Sequence, residues 1–467
     1  MKERADLMVR GHVLTMDATG TLIADGAIAV RAGRIVGVGP RSVMIDRFEC
    51  RAVIGDEHAI VMPGFIDAHT HCTQCFVRSL TAGELPMIPR LYNPAQGSLD
   101  AEQAAVCVRL ISAQLLRAGI TTMCEGTLNT EHENAIVEAI EEVGIRCCLA
   151  RGAADQDFHH ASLYTQIRDK SSLHVREGEA DVDLARTAVF LDRYPARTAG
   201  LIRGGVNASS LLGFSERYFV EGAKLARERD ATFQVHIARD REEVEFCLSV
   251  FGKRPIERLE ELGVINEHLV AIHAVLASER EIELLASGGA ALAHSPIECV
   301  ANLNAIPNVP RFRASGIRVA LGCDNQANDM FATMRAAWLI HGAKWGLPAY
   351  EPEFLSSTEI LGMATIEAAK VLRMDDITGS LELGKSADIV LLDGSGPHMM
   401  AMQHLPTELL RYGSRAEVRA TIVAGRVLYQ DGHFSSIDID RLRLDSSLGA
   451  THVRAALEGR RYRALSH

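Results

Sequence analysis

The strongest constraint on the fold is an alternation of short apolar runs with amphipathic stretches between about residues 60 and 380. The apolar runs have the length and composition of buried strands and lie at 59–67, 120–125, 145–150, 201–207, 232–237, 269–274, 290–295 and 317–324. The stretches between them have helical spacing, and most end on Gly or Asp before the next run. Because no glycine-rich dinucleotide loop follows the first run, this pattern favours a closed (β/α)8 TIM-like barrel over an open doubly wound sheet.

The two chain ends follow a different pattern. The first sixty and the last eighty residues alternate apolar and polar side chains with the period of two that is typical of strands. We therefore expect a small β-sandwich domain formed by residues 1–58 and 380–467, with the barrel domain at 59–379. Residues 72–100 have no clear periodicity and are long for a βα loop, which predicts a lid or pocket wall.

Composition and charge exclude several classes of function. The chain has 49 Lys and Arg residues against 60 Asp and Glu residues, so it offers no basic surface for nucleic acid. No apolar run reaches the roughly 20 residues of a membrane helix, and the first residues lack a signal-peptide pattern. We expect a cytoplasmic protein without a membrane partner. The ten cysteines, including the Cys72 and Cys75 pair, lack a metal-binding or disulfide framework, which predicts reduced thiols.

Histidines and one aspartate follow the apolar runs at equivalent positions. They are His69 and His71 after the first run, then His236, His273, His294 and Asp324 at the ends of the fifth to eighth runs. In a barrel these strand ends meet at one mouth, where one divalent ion accounts for most of the polar residues together. Several imidazoles with one carboxylate leave a position for water, whose pKa a metal lowers toward about 7.

The fourth run contains no lysine that could bridge two metals, so we expect one ion per subunit. Zinc is the first choice, and cobalt, iron and manganese suit the same ligands.

Several ordered motifs together resemble the amidohydrolase superfamily, in the branch of aminohydrolases and triazine chlorohydrolases. They are MPGFIDAHTH, VHI, IHA, AHSP, ALGCDN and TGSLELGKSADIVLLD, and they extend over nearly the whole chain. The resemblance implies that His69, His71, His236 and Asp324 bind the metal. It also implies that Asp324 accepts a proton from the attacking water and that His273 polarises or orients the substrate. A small-molecule substrate and a homo-oligomer, dimeric or of higher even order, are implied as well.

The sequence departs from this branch at positions that would select the substrate. Aminohydrolases of the branch carry a glutamate three residues after the fifth-strand histidine, where it protonates a ring nitrogen, whereas this chain has Arg239. Arginine stays protonated, so Arg239 would either stabilise charge on a carbonyl oxygen or form a salt bridge at the rim. Asp240 and Glu243 are alternative acids. Asn207 stands where purine-type enzymes have a histidine and cannot shuttle a proton.

Three further residues are expected to contact the substrate together with Asn207. They are Glu125, His294 and Asn325, and Glu125 has the alternative role of capping the following helix. After the seventh strand the chain has HSPIECVANL, where the branch usually has His-x-Pro followed by Ser-Asn. These departures predict that the substrate differs while the hydrolytic chemistry is retained.

The missing ring acid favours hydrolysis of a carbonyl compound. We expect cleavage of a C–N or C–S bond in a small, largely neutral urea, carbamate, thiocarbamate or amide, with Asp324 returning a proton to the leaving group. The alternative is a deaminase or dechlorinase of an N-heteroaromatic of the purine, pyrimidine or triazine type. A non-catalytic barrel module is a more remote alternative, because such a protein would be expected to have lost ligands.

Overall fold

Two sheets and a surrounding set of helices make up the protein in a computed structural model. The structure describes residues 2–80, 87–157, 173–324, 327–350, 354–400 and 402–464. The strands are β1 (Glu3–Leu14), β2 (Leu22–Arg31), β3 (Arg34–Pro40), β4 (Phe48–Ile54), β5 (Ala59–Pro63), β6 (Phe65–Thr70), β7 (Ile120–Glu125), β8 (Arg146–Arg151), β9 (Gln156–Asp157), β10 (His174–Val175), β11 (Ile202–Asn207), β12 (Phe233–Ile237), β13 (Leu269–His273), β14 (Ala291–His294), β15 (Val319–Leu321), β16 (Ile389–Asp393), β17 (Val418–Val423), β18 (Arg426–Gln430) and β19 (His433–Phe434).

The helices mostly follow the strands of the central sheet and cover its outer surface. They are α1 (Arg41–Arg47), α2 (Asn93–Gln96), α3 (Ala101–Arg117), α4 (Glu133–Val143), α5 (Glu179–Arg193), α6 (Glu216–Glu228), α7 (Arg241–Phe251), α8 (Pro255–Glu261), α9 (Glu279–Gly288), α10 (Pro296–Ala301), α11 (Val309–Ala314), α12 (Met330–His341), α13 (Leu347–Ala349), α14 (Ser357–Met363), α15 (Ile366–Val371), α16 (Leu405–Tyr412) and α17 (Ile439–Ala464). Among the described residues, no helix is both long enough and apolar enough to cross a membrane.

The central sheet is a nearly closed parallel barrel, which confirms the predicted fold class. Its strand order is β6-β7-β8-β11-β12-β13-β14-β15, and every neighbouring pair is parallel. The first and last strands meet beyond β15, where the amide of Asp324 donates a 2.8 Å hydrogen bond to the carbonyl of His69. Because all strands run in the same direction, their carboxyl ends lie together at one mouth of the barrel.

The first predicted strand run is divided in the structure. Residues 59–63 form β5, which pairs with β1 and β16, and only the second half of the run enters the barrel as β6. Gly64 separates the two strands, and a Cβ atom there would lie 2.1 Å from the Thr121 side chain. The close approach of β7 therefore requires glycine at this break.

Strands from both chain ends share the second sheet. Its order is β19-β18-β17-β16-β5-β1-β2-β3, with β4 also paired to β1. Alternate aliphatic side chains of this sheet, such as Val9, Ile28, Ile389 and Ile422, form its buried core. This shared sheet agrees with the expectation that both termini build one β structure, while the division into domains at residues 58 and 380 stays a prediction.

Candidate active site

Five polar side chains meet at the mouth of the barrel. His69 and His71 come from the end of β6, His236 from β12, His273 from the end of β13, and Asp324 follows β15. All five are buried. The structure therefore brings together the four predicted metal ligands and the predicted substrate-orienting histidine, at the place where parallel strand ends converge.

The side chains of this cluster form two overlapping groups of candidate metal ligands, His69, His71 and Asp324, and His69, His236 and His273, within each of which the ligand atoms lie within 4.8 Å of one another. His69 Nε2 lies 3.2 Å from His236 Nε2 and 3.4 Å from Asp324 Oδ2. His71 Nε2 lies 3.8 Å from Asp324 Oδ1, and His273 Nε2 lies 3.7 Å from Asp324 Oδ2. Ligand atoms bound at about 2.0–2.2 Å around a tetrahedral zinc ion are roughly 3.3–3.6 Å apart. The donor set and its spacing therefore suit a divalent ion of the zinc type.

The protonation states of the histidines suit metal binding as well. The Nδ1 atoms of His69, His236 and His273 are buried without a hydrogen-bond partner among the described residues, and their Nε2 atoms are the ones that face the cluster. Burial is the main cause that lowers the pKa of His236. It is also the main cause that lowers the pKa of His273, to about 3. Both rings are therefore neutral at physiological pH, which is the form that binds a metal.

The pKa of Asp324 is held below its usual value. Burial alone would raise this pKa, but hydrogen bonding and charge interactions with His69, together with His71 and His273, outweigh it. Asp324 therefore remains a carboxylate beside the histidines. An ionised carboxylate next to a metal site is suited both to coordination and to proton transfer.

The backbone around the cluster is strained and tightly packed. His273 and Asp324 have φ angles of 70° and 53°, in the left-handed region, where a residue with a side chain pays about 1–2 kcal/mol. Asp67 links the strand ends, since its Oδ1 accepts hydrogen bonds from the amides of His69 and Cys323. At Gly126 a Cβ atom would lie 2.8 Å from His69 Nδ1, so glycine lets the backbone approach the ring.

A cavity of about 560 Å³ opens above the cluster. His71, His236, His273 and Asp324 contribute to its lining. The described part of the predicted 72–100 wall contributes Gln74, Met87, Ile88, Tyr92, Asn93, Gln96 and Gly97. Residues 81–86 of that segment lie outside the described residues. The volume falls in the range of small-molecule sites, and the side-chain amides offer hydrogen bonds to a neutral polar ligand.

Arg239 lines this cavity and also forms an ion pair. Its guanidinium donates hydrogen bonds to the Asp240 carboxylate, and its side chain is 13% exposed. Arg239 therefore lines the cavity, as a contact with the substrate requires, and also forms a salt bridge, which was the alternative prediction. Glu243 accepts a 2.8 Å hydrogen bond from the Arg239 amide and is buried, but it is not among the residues that line the cavity.

Glu125 is placed behind the cluster and not on the cavity wall. Its carboxylate lies 3.7 Å from His71 Nδ1 and accepts hydrogen bonds from the amides of Cys72 and Thr127. Glu125 is therefore not among the residues that line the cavity, and the substrate contact predicted for it stays a prediction. Its hydrogen bonds instead anchor the turns that follow β6 and β7, and its charge faces the His71 ring.

His294 and Asn207 are also not among the residues that line the cavity. His294 Nε2 lies 3.0 Å from His341 Nε2, so this ring pairs with the end of α12. Asn207 is buried, whereas Ser209, two residues later, does line the cavity. The substrate contacts predicted for both residues stay predictions. Asn325 falls outside the described residues.

Glu298 lines the cavity, although no role was predicted for it from the sequence. It lies in α10, is 5% exposed, and its Oε2 accepts a 2.7 Å hydrogen bond from Asn302 Nδ2. Burial, followed by the nearby Asp324 charge, raises the pKa of Glu298 to about 8. The available signal was a glutamate in an otherwise apolar PIECVA segment directly after the seventh strand.

Comparisons with known proteins agree with this geometry. The family model described as the amidohydrolase family matches residues 60–428. A 5-methylthioadenosine/S-adenosylhomocysteine deaminase of Nitratidesulfovibrio vulgaris is 30% identical, over 95% of this chain and 96% of its own length. The protein of the same name from Syntrophobacter fumaroxidans is 29% identical, over 94% and 96%.

Solved structures share the fold over almost the full length. An adenosine deaminase from Xanthomonas campestris, solved with bound zinc, has a TM-score of 0.85 at 24% identity and covers 97% of this chain and 100% of its own. An atrazine chlorohydrolase from Arthrobacter aurescens, also with zinc, has a TM-score of 0.79 at 23% identity and covers 95% and 100%. At these identities the likeness establishes the fold.

Proposed function

Because the chain belongs to the amidohydrolase family and is a hydrolase, we propose that it is a metal-dependent deaminase that releases ammonia from a small N-heteroaromatic compound. The observation that carries this proposal is the convergence of the histidine Nε2 atoms and Asp324 at the base of the 560 Å³ cavity. Such a donor set of imidazoles and a carboxylate, without thiolates, is the type found in catalytic zinc sites.

The relatives favour deamination over the carbonyl hydrolysis that the sequence analysis preferred. The two deaminases align with 94–95% of the chain, so the similarity includes the mouth of the barrel. Their names support the alternative interpretation, hydrolysis of an amino group on a heterocycle. The cavity volume and its amide-bearing side chains suit an uncharged aminopurine, free or as a nucleoside.

We assign the metal to His69, His71, His236 and Asp324, with zinc as the proposed ion. When bound, a divalent ion supplies hydroxide at neutral pH by lowering the pKa of water. Asp324 takes a proton from the attacking water and passes it to the leaving amino nitrogen, because its carboxylate remains ionised among the imidazoles. His273 faces the same carboxylate and orients the substrate. The predicted even-numbered assembly and cytoplasmic location stay predictions.

The test is a panel of aminopurines, aminopyrimidines and aminotriazines, with ureas, carbamates and amides as the second arm. Purified protein with one equivalent of zinc is expected to release ammonia from at least one aminoheterocycle. Chelation should abolish this activity, and added zinc should restore it. Turnover confined to ureas, carbamates or amides would contradict the proposal.

Carbonyl hydrolysis is the second candidate, and Arg239 is the observation that favours it. A cationic side chain on the cavity wall can stabilise the negative charge that develops on a carbonyl oxygen. The substitution Arg239→Glu separates the two reactions. It should reduce hydrolysis of a urea or carbamate at least about 100-fold, while a deaminase should retain its activity or gain some.

A further inference from the structure

Attack on an amino-substituted heteroaromatic ring requires a proton donor for the ring. When water adds to the carbon that bears the amino group, the electron pair of the ring C=N bond moves to nitrogen, which must be protonated. The position after β12 that could supply such an acid holds Arg239, which does not release its proton. The acid must therefore come from another residue of the cavity.

The cavity lining contains five carboxyl groups among the described residues: Glu131, Asp240, Glu242, Glu298 and Asp324. Glu131 and Glu242 are exposed, so they face water and not the buried part of the cavity. Asp240 is paired with the Arg239 guanidinium, whose charge and hydrogen bonds outweigh burial and lower the pKa of Asp240. These three groups are therefore not placed to protonate a buried ring.

The other two carboxyl groups share the buried part of the cavity. Asp324 lies among the imidazoles and is one of the proposed metal ligands. Glu298 lies outside that ligand set, is 5% exposed and accepts a 2.7 Å hydrogen bond from the Asn302 amide, with no ion pair among the described residues. It is therefore the buried carboxyl group of the cavity that has neither a cationic partner nor a place among the ligands, and burial favours the protonated form of such a group.

We propose that Glu298 contacts the substrate and donates the proton to the ring nitrogen, in place of an acid at position 239. This inference rests on the proposed deaminase function. It also differs from the two acids that the sequence analysis considered: Asp240 is paired with Arg239, and Glu243 does not line the cavity.

The proton balance of the step is complete. The oxygen of water bonds to the ring carbon, one water proton moves to Asp324, and the proton of Glu298 moves to the ring nitrogen. The Asp324 proton then passes to the amino group, the C–N bond breaks and ammonia leaves. The proton of the new hydroxyl group returns to Glu298 as the carbonyl forms. Both carboxyl groups end in their starting states, and the product keeps an N–H beside its carbonyl.

The experiment compares two variants of buried glutamates on two substrates. Glu298→Gln removes the proposed acid, and Glu243→Gln is the matched control, because burial also raises the pKa of Glu243 to about 8. On a neutral aminopurine that the wild type deaminates, Glu298→Gln should lower kcat at least about 100-fold with KM within about threefold. Glu243→Gln should stay within about threefold of the wild-type kcat.

The second substrate already carries the required positive charge, through methylation of the ring nitrogen next to the amino-bearing carbon. Glu298→Ala leaves room for the methyl group. It should lower the ratio of kcat/KM for the neutral substrate to kcat/KM for the methylated substrate at least about 100-fold. If this variant does not fold, as judged by its thermal unfolding and zinc content, Glu298→Gln is used for the same ratio.

Two outcomes overturn the inference alone. In the first, the wild type is active and Glu298→Gln retains its kcat; in the second, the Glu298 variants lose activity equally on both substrates. A wild-type protein that releases no ammonia from any aminoheterocycle overturns the proposed function, and this inference falls with it.

Discussion

The barrel buries charged and polar groups at both ends of its strands. At the amino end these groups have hydrogen-bond partners within the chain, whereas at the mouth several of them have none among the described residues. At the amino end of β8, Arg146 donates hydrogen bonds to both carboxylate oxygens of Asp388, at 2.7 and 3.1 Å, and to Ser386 and the Gly200 carbonyl. At the mouth, three histidine Nδ1 atoms and Asp67 Oδ2 are buried without a partner among the described residues.

This difference separates a structural site from a functional one. The Arg146 and Asp388 pair has its partners within the chain and joins the barrel to the terminal sheet. At the mouth, His236 Nε2 and Asp324 Oδ2 lie 3.2 and 3.4 Å from His69 Nε2. Buried imidazoles and a carboxylate that face one another at such distances are the physical indication of a metal site.

The largest effect is expected when the mouth loses a ligand. His69→Asn should reduce the hydrolytic activity at least about 1,000-fold, equivalent to about 4 kcal/mol, because His69 lies closest to both His236 and Asp324. The free energy of unfolding of the metal-free protein should change little. Steady-state kinetics and urea denaturation provide the two measurements, with the buried but remote His268→Asn as control. Near-wild-type activity in His69→Asn would contradict the metal assignment.

The opposite pattern is expected at the other end. Arg146→Met should lower the free energy of unfolding by about 3–5 kcal/mol, because it leaves the Asp388 carboxylate buried and unpaired. The activity per folded molecule should remain near that of the wild type. Replacing both residues, with Arg146→Met and Asp388→Leu, should restore part of the loss. A single variant as stable as the wild type would show that the pair contributes little.

The Arg146 and Asp388 pair also makes the stability of the protein depend on pH. Burial raises the pKa of Asp388, but Arg146 and the hydrogen bonds from the Ala424 amide and the Ser386 hydroxyl lower it more, so its folded pKa lies below the unfolded value of about 3.9. The pair therefore stabilises the fold above about pH 4 and loses this contribution as pH falls through the folded pKa. Asp388→Asn should be less stable than the wild type at pH 7, and the gap should narrow by pH 3 in urea denaturation. A stability difference between the two proteins that grows as the pH falls would contradict the predicted direction of the pH dependence.

A smaller effect is expected from crowding the mouth without removing a ligand. Gly126→Ala places a methyl group 2.8 Å from His69 Nδ1 and 3.1 Å from Gln234 Oε1, which should shift the ring and lower kcat about tenfold, or about 1.4 kcal/mol. Gly342→Ala is the control, because nothing lies within 4 Å of its added atom. Equal kinetics for the two variants would mean that the position of His69 is not critical.

Much of this architecture could be predicted from the sequence, because strands and their polar ends leave local patterns. The run 120–125 coincides with β7, and the histidines that end β6, β12 and β13 meet as predicted. The break at Gly64 was missed, since the residues on both sides of it are apolar and the clash with Thr121 arises only in the folded barrel.

Side chains whose partners are distant in sequence could not be placed in advance. The Arg146 and Asp388 pair is separated by 242 residues, and neither residue stands in a recognisable motif. Glu125 and His294 end strands as expected, yet neither is among the residues that line the cavity. Glu125 accepts a hydrogen bond from the Cys72 amide, and His294 pairs with His341. A strand-end position predicts that a side chain lies near the mouth, but not whether it reaches the cavity.

Calorimetric titration of metal-free protein with zinc is the most direct test of whether the mouth of the barrel binds one catalytic ion. We expect one ion per chain in the wild type and in Arg146→Met, with binding lost or greatly weakened in His69→Asn. Wild-type protein that binds no zinc, or a His69→Asn variant that binds zinc as tightly as the wild type, would rule out the proposed metal site.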